Sequence, residues 1–275
     1  MFDKLPVHCQ ASAMRSLSLV VITKNEAHNI ARCLDSVPFA SDKVVVDSGS
    51  VDQTVAIAKK HGARVFNEDW LGFYQQKVKA TGFATHDLIL SLDADEALSP
   101  KLAEEIKALL QQPPNTILAA AYALPRLSYH LGRWIRHGGW YPDWQVRLFD
   151  RNRAAWQAGE VHEKIHAPHI VRLQNPILHW VFKDLTDQIE TNNRYSGLGA
   201  AELRRQGRGF RLLKLLFKPG FKFIETYVWK RGFLDGMPGF IIAVGAAYSM
   251  FLKYAKLWEA AKVSQGKPPQ FQDSE

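Results

Sequence analysis

Four short apolar segments, each ended by polar residues, constrain the fold of this chain more than any other feature. Such segments are typical of buried strands. They cover residues 17–22, 43–46, 63–66 and 88–92. Helix-like segments lie between and after them, at residues 27–37, 50–61, 73–83 and 100–110. Strands that alternate with helices predict an α/β fold, with a mainly parallel sheet that helices cover on both faces.

Two of the helix-like segments carry start signals. Ser99 is the predicted N-cap of the last one, because Pro100 follows it at the first helical position. Ser50 and Gln53 have the spacing of a capping box, which predicts a helix that continues to about His61.

Polar residues follow three of the predicted strands directly. They lie at residues 23–26, 47–50 and 93–96. Open α/β sheets bind their ligands outside the carboxyl ends of the strands, and all three clusters are predicted to lie at that edge. The sequence therefore predicts one polar crevice there.

The last of these clusters contains a pair of acids. Asp93 and Asp95 are two positions apart at the end of a predicted strand, and such residues point to the same face. Carboxylate oxygens suit Mg²⁺ or Mn²⁺, and these ions often take substrate phosphates as further ligands. The pair indicates a metal that holds a diphosphate. The alternative is a solvated loop or a helix cap.

Three motifs carry a resemblance to a known family. They are Val20-Val21-Ile22-Thr23-Lys24-Asn25-Glu26, Val46-Asp47-Ser48-Gly49-Ser50-x-Asp52-x-Thr54 and Leu92-Asp93-Ala94-Asp95-Glu96. In this order and spacing they resemble the nucleotide-sugar-binding half of family 2 glycosyltransferases, which have the Rossmann-like GT-A fold. With Trp140-Tyr141-Pro142 and Val161-His162-Glu163, the resemblance extends over residues 16–258 to the lipopolysaccharide inner-core glucosyltransferases of Gram-negative bacteria, the WaaE/KdtX type.

The resemblance implies roles for the residues of these motifs. Thr23, Asn25 and Glu26 would line the uracil and ribose pocket, and Asp47 would accept a hydrogen bond from the base. Asp93 would lie near the ribose, and Asp95 would ligate the metal. The remaining residues implied in nucleotide-sugar binding are Ser48, Gly49 and Ala94. Asn25-Glu26 also fits an ordinary helix start, and Asp47 also fits a turn residue before Gly49.

An inverting sugar transfer also needs a base, which takes the proton from the acceptor hydroxyl. In related enzymes a small-residue loop, the base and a metal-binding histidine follow one another along the chain. Gly138-Gly139, then Glu160 and Glu163, then His179 have that order here. We expect Glu163 to be the base, with Asp143 and Glu160 as rivals. His179 is the expected third metal ligand, although a histidine beside Trp180 also fits a packed structural residue.

The resemblance also indicates that one sugar is added per binding event. The chain lacks the Gln-x-x-Arg-Trp motif of processive members, which Gln145-Val146-Arg147-Leu148 only partly matches. The expected reaction is transfer of one sugar from a UDP-sugar, UDP-glucose first, to a lipopolysaccharide core heptose. Another cell-envelope glycan or lipid is the alternative acceptor. A non-enzymatic adaptor at a basic membrane surface is the alternative of a different class.

A basic and aromatic cluster between residues 126 and 153 is the expected acceptor site. Arginine side chains bind phosphates, and flat aromatic faces suit sugar rings. A phosphorylated glycolipid satisfies both, and the residues expected to contact it are Arg136, Trp140, Tyr141 and Arg147. The alternative is that Trp134, Trp140 and Trp144 are core residues, and we expect at least one of them to be.

The segment 203–231 predicts attachment to a membrane. It has nine lysines and arginines with only Glu225 in opposition, and apolar residues lie between them. Such a segment is typical of a helical extension that lies on anionic lipid. Residues 239–252 are uncharged but only 14 long, short of the roughly 20 that a membrane span needs. We expect a buried or interfacial helix there. A basic solvated face is the alternative.

Composition limits the other classes. The net charge is +8 among 275 residues, but nucleic-acid binding would leave the three crevice motifs unexplained, so no nucleic-acid partner is expected. Two cysteines, Cys9 and Cys33, exclude a disulfide framework and fit a reducing cytosol. Without an apparent signal peptide, the expected location is the cytoplasmic face of the inner membrane.

The expected organisation has five parts, and the oligomeric state stays open. They are a flexible leader (1–15), a nucleotide-sugar-binding half (16–112), an acceptor-binding half (113–200), a helical membrane-associating extension (201–263) and a tail (264–275). The chain has no dinucleotide, NTPase P-loop or hydrolase Gly-x-Ser-x-Gly motif.

Overall fold

The structure is a computed structural model, and it describes residues 14–113, 115–158 and 163–262. The chain divides into two compact units. The first contains the residues up to Arg126 and Asp143–His179, and the second contains Leu127–Pro142 and the residues from Trp180 onward. The expected leader lies outside the described residues except for Met14 and Arg15, and the expected tail lies wholly outside them. The boundaries expected at 112 and 200 stay predictions.

Four parallel strands form one half of the sheet of the first unit. They are β1 (Ser18–Thr23), β2 (Asp42–Asp47), β3 (Arg64–Asn67) and β4 (Leu88–Asp93). Their order is β3-β2-β1-β4, so the two central strands, β1 and β2, pair on both sides. All four match the apolar segments of the sequence to within one residue or two, and the ends of β1, β2 and β4 carry the three polar clusters.

Four helices accompany these strands. They are α1 (Ile30–Asp35), α2 (Thr54–Lys60), α3 (Phe73–Gly82) and α4 (Pro100–Leu110). Two buried apolar clusters form because alternate residues of each strand point to opposite faces: Val21 lies in one cluster and Val20 in the other. A sheet with a core on each face accounts for the continuous apolar runs in the sequence. The predicted α/β fold is thus confirmed.

The other half of this sheet is mixed. Its strands are β5 (Glu96–Leu98), β6 (Ala121–His130), β8 (Asp143–Asp150), β11 (Ile170–Arg172) and β12 (Ile177–Trp180). β8 pairs antiparallel with β4 and β6, and β12 pairs antiparallel with β5. β11 pairs parallel with β6. A separate two-stranded sheet joins β9 (Ala155–Gln157) to β10 (Lys164–His166).

The second unit is mainly helical. A short strand, β7 (Arg133–Ile135), pairs with Ser128–His130 at the end of β6. Three α-helices follow in sequence, with a π-helix at Glu225–Trp229 and a 3₁₀ turn at Gly232–Asp235 between the last two. The α-helices are α5 (Leu185–Arg205), α6 (Leu212–Ile224) and α7 (Gly236–Lys262). The expected C-terminal helical extension is confirmed.

Two local predictions need correction, and a third is confirmed. α1 is shorter than the expected 27–37, because residues 27–29 form a turn and the helix ends at Asp35. Ser50 does not cap α2, whose N-cap is Gln53, because the Ser50 hydroxyl binds the backbone of Asn25 and the Asp47 carboxylate instead. Ser99, in contrast, caps α4 as predicted: its hydroxyl accepts a hydrogen bond from the backbone N–H of Leu102.

The length argument about residues 239–252 is also corrected. The helix continues past Lys253 to Lys262, and together with the 3₁₀ turn before it the segment is 31 residues long. Its most apolar stretch of 18 residues has a mean hydropathy of 1.3. By length and composition alone, this segment is sufficient to cross a membrane, and only 22% of its most apolar stretch is buried. The uncharged stretch of 14 residues therefore underestimates the length of the apolar helix.

Candidate active site

The loops after β1 and β2 are joined by side-chain hydrogen bonds at the carboxyl edge of the sheet. The side-chain oxygen of Asn25 accepts from the N–H of Val51 at 2.9 Å, and the backbone N–H of Asn25 donates to the Ser50 hydroxyl at 2.8 Å. The N–H of Glu26 donates to the Thr54 hydroxyl at 2.8 Å. Asn25 holds a positive φ of 57°, which asparagine tolerates better than most residues. Two of the three predicted nucleotide-binding motifs therefore form one connected wall.

Asp47 holds the turn that contains Gly49. One carboxylate oxygen accepts from the N–H groups of Gly49 and Ser50, at 3.0 and 2.8 Å, and the other accepts from the Ser50 hydroxyl. Gly49 has a φ of 80°, which a glycine adopts without strain. The turn role considered for Asp47 is thus present. A carboxylate has about four acceptor positions, so this arrangement is compatible with a further bond to a base.

Two buried polar atoms near these loops lack protein partners among the described residues. They are the hydroxyl oxygen of Thr23 and the side-chain carbonyl oxygen of Gln76. The amide of Gln76 donates to the hydroxyl of Ser48 at 2.9 Å, so Gln76 lies beside the β2 loop. Buried polar groups are normally hydrogen-bonded, and unpaired ones call for an explanation. A polar ligand in the crevice would supply the missing partners.

An ion-pair network surrounds Asp93 at the end of β4. Lys77, from α3, lies 2.9 Å from one oxygen of Asp93, and Arg147, from β8, binds the other. Arg147 also contacts Glu96 at 2.7 Å, and Arg126 contacts Glu96 at 3.1 Å. Glu96 and Arg147 are almost fully buried, and Asp93 keeps 29% of its side chain exposed. Asp93 is therefore fixed at the crevice by cations on two elements.

The cations decide the ionisation of these acids. Burial opposes the charged form of Asp93, but Arg147 and Lys77 outweigh it and hold the pKa of that carboxyl well below its usual range. Burial likewise opposes the charged form of Glu96, and Arg147 again outweighs it, so the pKa of Glu96 is also lowered. Both groups are carboxylates at neutral pH.

Asp95 and His179 lie together, as their predicted roles require. The Nε2 atom of His179 is 3.3 Å from a carboxylate oxygen of Asp95, and the two strands β5 and β12 position them: His179 is paired in register with Glu96. Two ligands of one octahedral Mg²⁺ lie about 3 Å apart, because its bonds are about 2.0–2.1 Å. The residues present therefore fit such an ion.

The protein supplies only part of a metal shell. Among the described residues, no group of three or more His, Cys, Asp or Glu side chains could hold a metal ion. Mg²⁺ and Mn²⁺ sites that receive diphosphates commonly have few protein ligands, since waters and phosphate oxygens complete them. Asp93 is held by Lys77 and Arg147, whereas Asp95 lies beside His179, so the two acids have different protein partners.

The three candidates for the base have different surroundings. Glu163 lies 2.8 Å from Lys77, and 14% of its side chain is exposed. Asp143 is held by Arg126 at 2.6 Å and accepts from Gln145 at 2.8 Å. Glu160 lies outside the described residues. Both placed candidates belong to the first unit, and Glu163 shares its ammonium partner with Asp93.

The four expected acceptor residues separate into two groups. Arg147 is in the first unit and only 4% exposed, and its guanidinium is engaged by Asp93 and Glu96. That position leaves it no open surface for a glycolipid, so the structure favours a role in fixing the acids. Arg136, Trp140 and Tyr141 lie in the second unit, in the loop after β7. Their contact with an acceptor stays a prediction.

Asp235 anchors this loop. Asp235 lies in the 3₁₀ turn before α7. Its buried carboxylate accepts hydrogen bonds from the backbone N–H groups of Arg136 and His137, at 3.1 and 2.8 Å. Trp140 stacks on the buried His130 with ring centres 5.9 Å apart. We expected at least one of Trp134, Trp140 and Trp144 to be a core residue, and all three are half-buried.

Sequence reasoning missed Lys77 and the role of Glu96. Lys77 is one of two lysines in α3, and nothing in its local sequence separates it from Lys79. The helix periodicity is the one usable signal, because Lys77 lies one position after the buried Gln76 and three before the buried Ala80. A lysine on the buried face of a helix indicates a buried anionic partner.

Comparisons with known proteins agree with the motifs. The profile of "Glycosyl transferase family 2" matches residues 18–174. An uncharacterised glycosyltransferase of Rickettsia felis is 32% identical over 90% of this chain and 91% of its own length. LpsC of Rhizobium meliloti, described as a lipopolysaccharide core biosynthesis glycosyltransferase, is 28% identical over 88% of this chain and 92% of its own length.

Similarity to solved structures is weaker. Glucosyl-3-phosphoglycerate synthase from Mycobacterium tuberculosis, in complex with Mn²⁺, UDP and glucosyl-3-phosphoglycerate, aligns with a TM-score of 0.34 and 21% identity. The alignment covers 43% of this chain and 45% of that chain.

Proposed function

This chain belongs to glycosyl transferase family 2, and we propose that it transfers one glucose from UDP-glucose, with inversion, to a lipopolysaccharide inner-core heptose. Family membership makes it a glycosyltransferase. The choice of glucose and heptose rests on the resemblance of its motifs to the WaaE/KdtX type. The similarity to LpsC, a lipopolysaccharide core glycosyltransferase, supports this class of acceptor.

The pairing of Asp95 with His179 at 3.3 Å carries the proposal. It gives a divalent ion two protein ligands at the carboxyl edge of the sheet, and the β1 and β2 loops lie at the same edge. The buried, unpaired oxygens of Thr23 and Gln76 support a polar ligand there. Mg²⁺ or Mn²⁺, bound by Asp95 and His179, would offset the charge that grows on the departing diphosphate.

The remaining chemistry belongs to side chains of the chain itself. Glu163 would take the proton from the acceptor hydroxyl as its oxygen bonds to the anomeric carbon and the bond to the diphosphate breaks. The loops after β1 and β2, joined by the hydrogen bonds of Asn25, Ser50 and Asp47, would orient the uridine. That orientation would keep the reacting atoms in line. One carboxylate is sufficient, because no acid needs to attack the sugar.

We also propose that the enzyme is attached peripherally to anionic lipid at the cytoplasmic face of the inner membrane. The second unit supports this location. Leu213, Phe217 and Phe221 of α6 are between 50% and 68% exposed, and Lys214, Lys218 and Lys222 form the adjacent stripe of the helix. Apolar side chains next to lysines are the arrangement that interfacial helices present to anionic headgroups.

Calorimetric titration with UDP tests the donor site. Wild-type protein is expected to bind UDP in the presence of Mn²⁺ and at least tenfold more weakly without it, since Asp95 and His179 need the ion to reach the diphosphate. Asp95→Ala is expected to lose the increase in UDP affinity that Mn²⁺ produces. The variant should keep its fold, because the Asp95 side chain is 29% exposed.

Asp69→Ala is the matched control, since Asp69 is an exposed carboxylate of the same unit. It is expected to bind UDP like the wild type. Metal-independent UDP binding, or unchanged binding by Asp95→Ala, would contradict the metal site. A folded wild type that binds no UDP at all would contradict the donor, and the adaptor function would then be tested by vesicle binding.

A further inference from the structure

We propose that Lys77 is a positioning residue, whose ammonium group holds the base Glu163 beside the donor-side Asp93. This role deepens the proposed function and rests on its assignment of Glu163. Lys77 lies 2.8 Å from Glu163 Oε1 and 2.9 Å from Asp93 Oδ1. One nitrogen therefore joins the acid at the end of β4 to the acid before β10.

The burial of Lys77 indicates that this contact is specific. Its side chain is 4% exposed, whereas lysines are almost never buried without a partner. The ammonium also lies 5.3 Å from the ring centre of Trp156, on β9. Contacts with two carboxylates and an aromatic face leave Lys77 few alternative rotamers, so the position of its nitrogen is well defined.

Glu163 depends on this one cation. Among the described residues, Lys77 is the only side chain that forms an ion pair with it. Asp93, in contrast, is also bound by Arg147. Removal of the ammonium would leave Glu163 without its partner and next to the negative charge of Asp93, and the like charges would separate. Asp93 would stay in place through Arg147.

This asymmetry predicts which kinetic constant changes. If Lys77 acts through Glu163, its loss should lower kcat and leave the affinity for the nucleotide nearly unchanged. A misplaced base costs rate because proton transfer requires hydrogen-bond contact with the acceptor hydroxyl. The matched control is Lys79, on the same helix, which pairs with Glu68 and is 41% exposed.

A double-mutant cycle tests the role. Transfer from UDP-glucose to heptose-terminated core lipopolysaccharide is measured for Lys77→Gln, Glu163→Gln and the double variant, together with UDP binding by calorimetry. Glu163→Gln is expected to lower kcat by about 10²–10⁴-fold, the range of general-base contributions. Lys77→Gln is expected to lower kcat at least tenfold, with UDP affinity and the KM for UDP-glucose changed by less than about threefold.

The double variant shows whether Lys77 acts only through Glu163. A residue that acts only through Glu163 has nothing left to position after Glu163→Gln, so adding Lys77→Gln should cost less than about threefold more. Effects that multiply would overturn the role, as would a Lys77→Gln enzyme with normal kcat. Lys79→Gln is expected to match the wild type in both constants.

Folding and the wider proposal are separated by two further measurements. If Lys77→Gln does not fold, by circular dichroism and thermal unfolding, the cycle is repeated with Lys77→Arg, which keeps the charge. Its smaller loss of kcat should also vanish in the Glu163→Gln background, and a multiplicative loss would overturn the role. A folded wild type without transfer contradicts the proposed function and this role together, whereas multiplicative effects in an active enzyme contradict this role alone.

Discussion

Buried charge in the first unit acts through specific partners, and Arg147 shows how that changes a residue's role. In the sequence it is one arginine of a basic and aromatic cluster. In the structure its guanidinium is buried between Asp93 and Glu96, which lie 54 and 51 positions away in the chain. Removing one member of a buried ion pair leaves an uncompensated charge, which commonly costs about 3–5 kcal/mol. Arg147 is therefore better understood as a support of Asp93 than as a surface ligand.

Asp42 is a carboxylate whose side chain is only 7% exposed, and its partners make a pH-dependent contribution to stability. It accepts two hydrogen bonds from Arg64, at 3.0 and 2.9 Å, and further bonds from Ser18 and Thr85. Burial opposes its charged form, but Arg64 and Thr85 outweigh it and hold the pKa of Asp42 well below the ordinary value of 3.8.

Asp42→Asn should accordingly lower the free energy of unfolding by about 1–3 kcal/mol at pH 7, the range for a lost charged hydrogen bond. A depressed folded-state pKa stabilises above the unfolded-state pKa, about 3.9, and this contribution is lost as the pH falls toward the folded-state pKa. The difference between wild type and variant should thus be constant above about pH 5 and shrink below about pH 4. Urea unfolding at several pH values measures it.

The control for that experiment is the exposed Asp69. Asp69→Asn is expected to change the free energy of unfolding by less than about 0.5 kcal/mol, as surface substitutions usually do. If the stability difference between the wild type and Asp42→Asn grows as the pH falls, the sign of the Asp42 pKa shift is contradicted.

At the scale of elements, two glycines in the second unit make opposite predictions. A Cβ atom on Gly239, in α7, would overlap the carbonyl oxygen of Gly232 in the preceding 3₁₀ turn. A Cβ atom on Gly220, in α6, would meet no atom within 4 Å. Gly239 therefore permits a close backbone approach, whereas Gly220 only costs helix stability.

Gly239→Ala is expected to lower the free energy of unfolding by about 1–3 kcal/mol or more, because the overlapping atoms belong to backbone and cannot move cheaply. Gly220→Ala is expected to raise it by about 0.5–1 kcal/mol, as alanine favours a helix interior over glycine. Thermal unfolding of the two variants under the same conditions gives the comparison. Equal changes in Tm for the two variants would contradict the inference that the close approach of α7 to the 3₁₀ turn requires glycine at position 239.

The elements themselves were largely predictable, because their signals are local. Apolar runs gave the four parallel strands, and Ser99 with Pro100 gave the start of α4. The wrong helix cap at Ser50 has a physical cause, which is competition from distant partners. Ser50 has the spacing of a helix cap but binds Asn25, 25 positions away. A pattern of neighbouring residues contains no information about such a partner.

The same reasoning applies to the candidate site. The three motifs place Thr23, Asp47, Asp93 and Asp95 at one sheet edge, since strand alternation and order suffice for that. They do not predict which acid meets which cation. Asp93 and Asp95 are two positions apart, yet one binds Lys77 and Arg147 and the other His179, because the chain turns after β4. Those contacts depend on how α3, β8 and β12 are arranged around β4.

At the scale of the whole molecule, the net charge of +8 is less informative than where the exposed apolar residues lie. Many of the exposed large apolar side chains belong to α6, α7 and the turns between them. Monomeric soluble proteins rarely expose contiguous apolar patches of this kind without a use for them. The proposed use is contact with lipid.

The double variant Phe217→Ser with Phe221→Ser should bind vesicles of phosphatidylglycerol and phosphatidylethanolamine at least tenfold more weakly than the wild type. Fully burying one phenylalanine contributes about 1.5–3 kcal/mol, and tenfold corresponds to about 1.4 kcal/mol. Vesicle sedimentation measures the binding, and higher salt should weaken it further, because salt screens the attraction of Lys214, Lys218 and Lys222 to the lipid.

Phe73→Ser is the matched control, since Phe73 is 57% exposed but belongs to the first unit. It should sediment like the wild type. Unchanged sedimentation of the double variant would contradict attachment through α6. Protein that stays with membranes after an alkaline carbonate wash would contradict peripheral attachment and indicate that α7 crosses the bilayer.

The pairing of β5 with β12 has a consequence for how this enzyme can diverge. Three ladder pairs, Leu98 with Ile177, Ala97 with Leu178 and Glu96 with His179, bring Asp95 and His179, the proposed metal ligands, together. Insertions in the loops between these strands leave that ladder intact, so the acceptor-facing half is free to change in length and specificity. A single-residue deletion inside β12 would instead turn His179 to the opposite face, and one inside β5 would shift Asp95 relative to His179. The relative position of Asp95 and His179 is thus insensitive to length changes in the loops and sensitive to deletions at the six positions of the ladder.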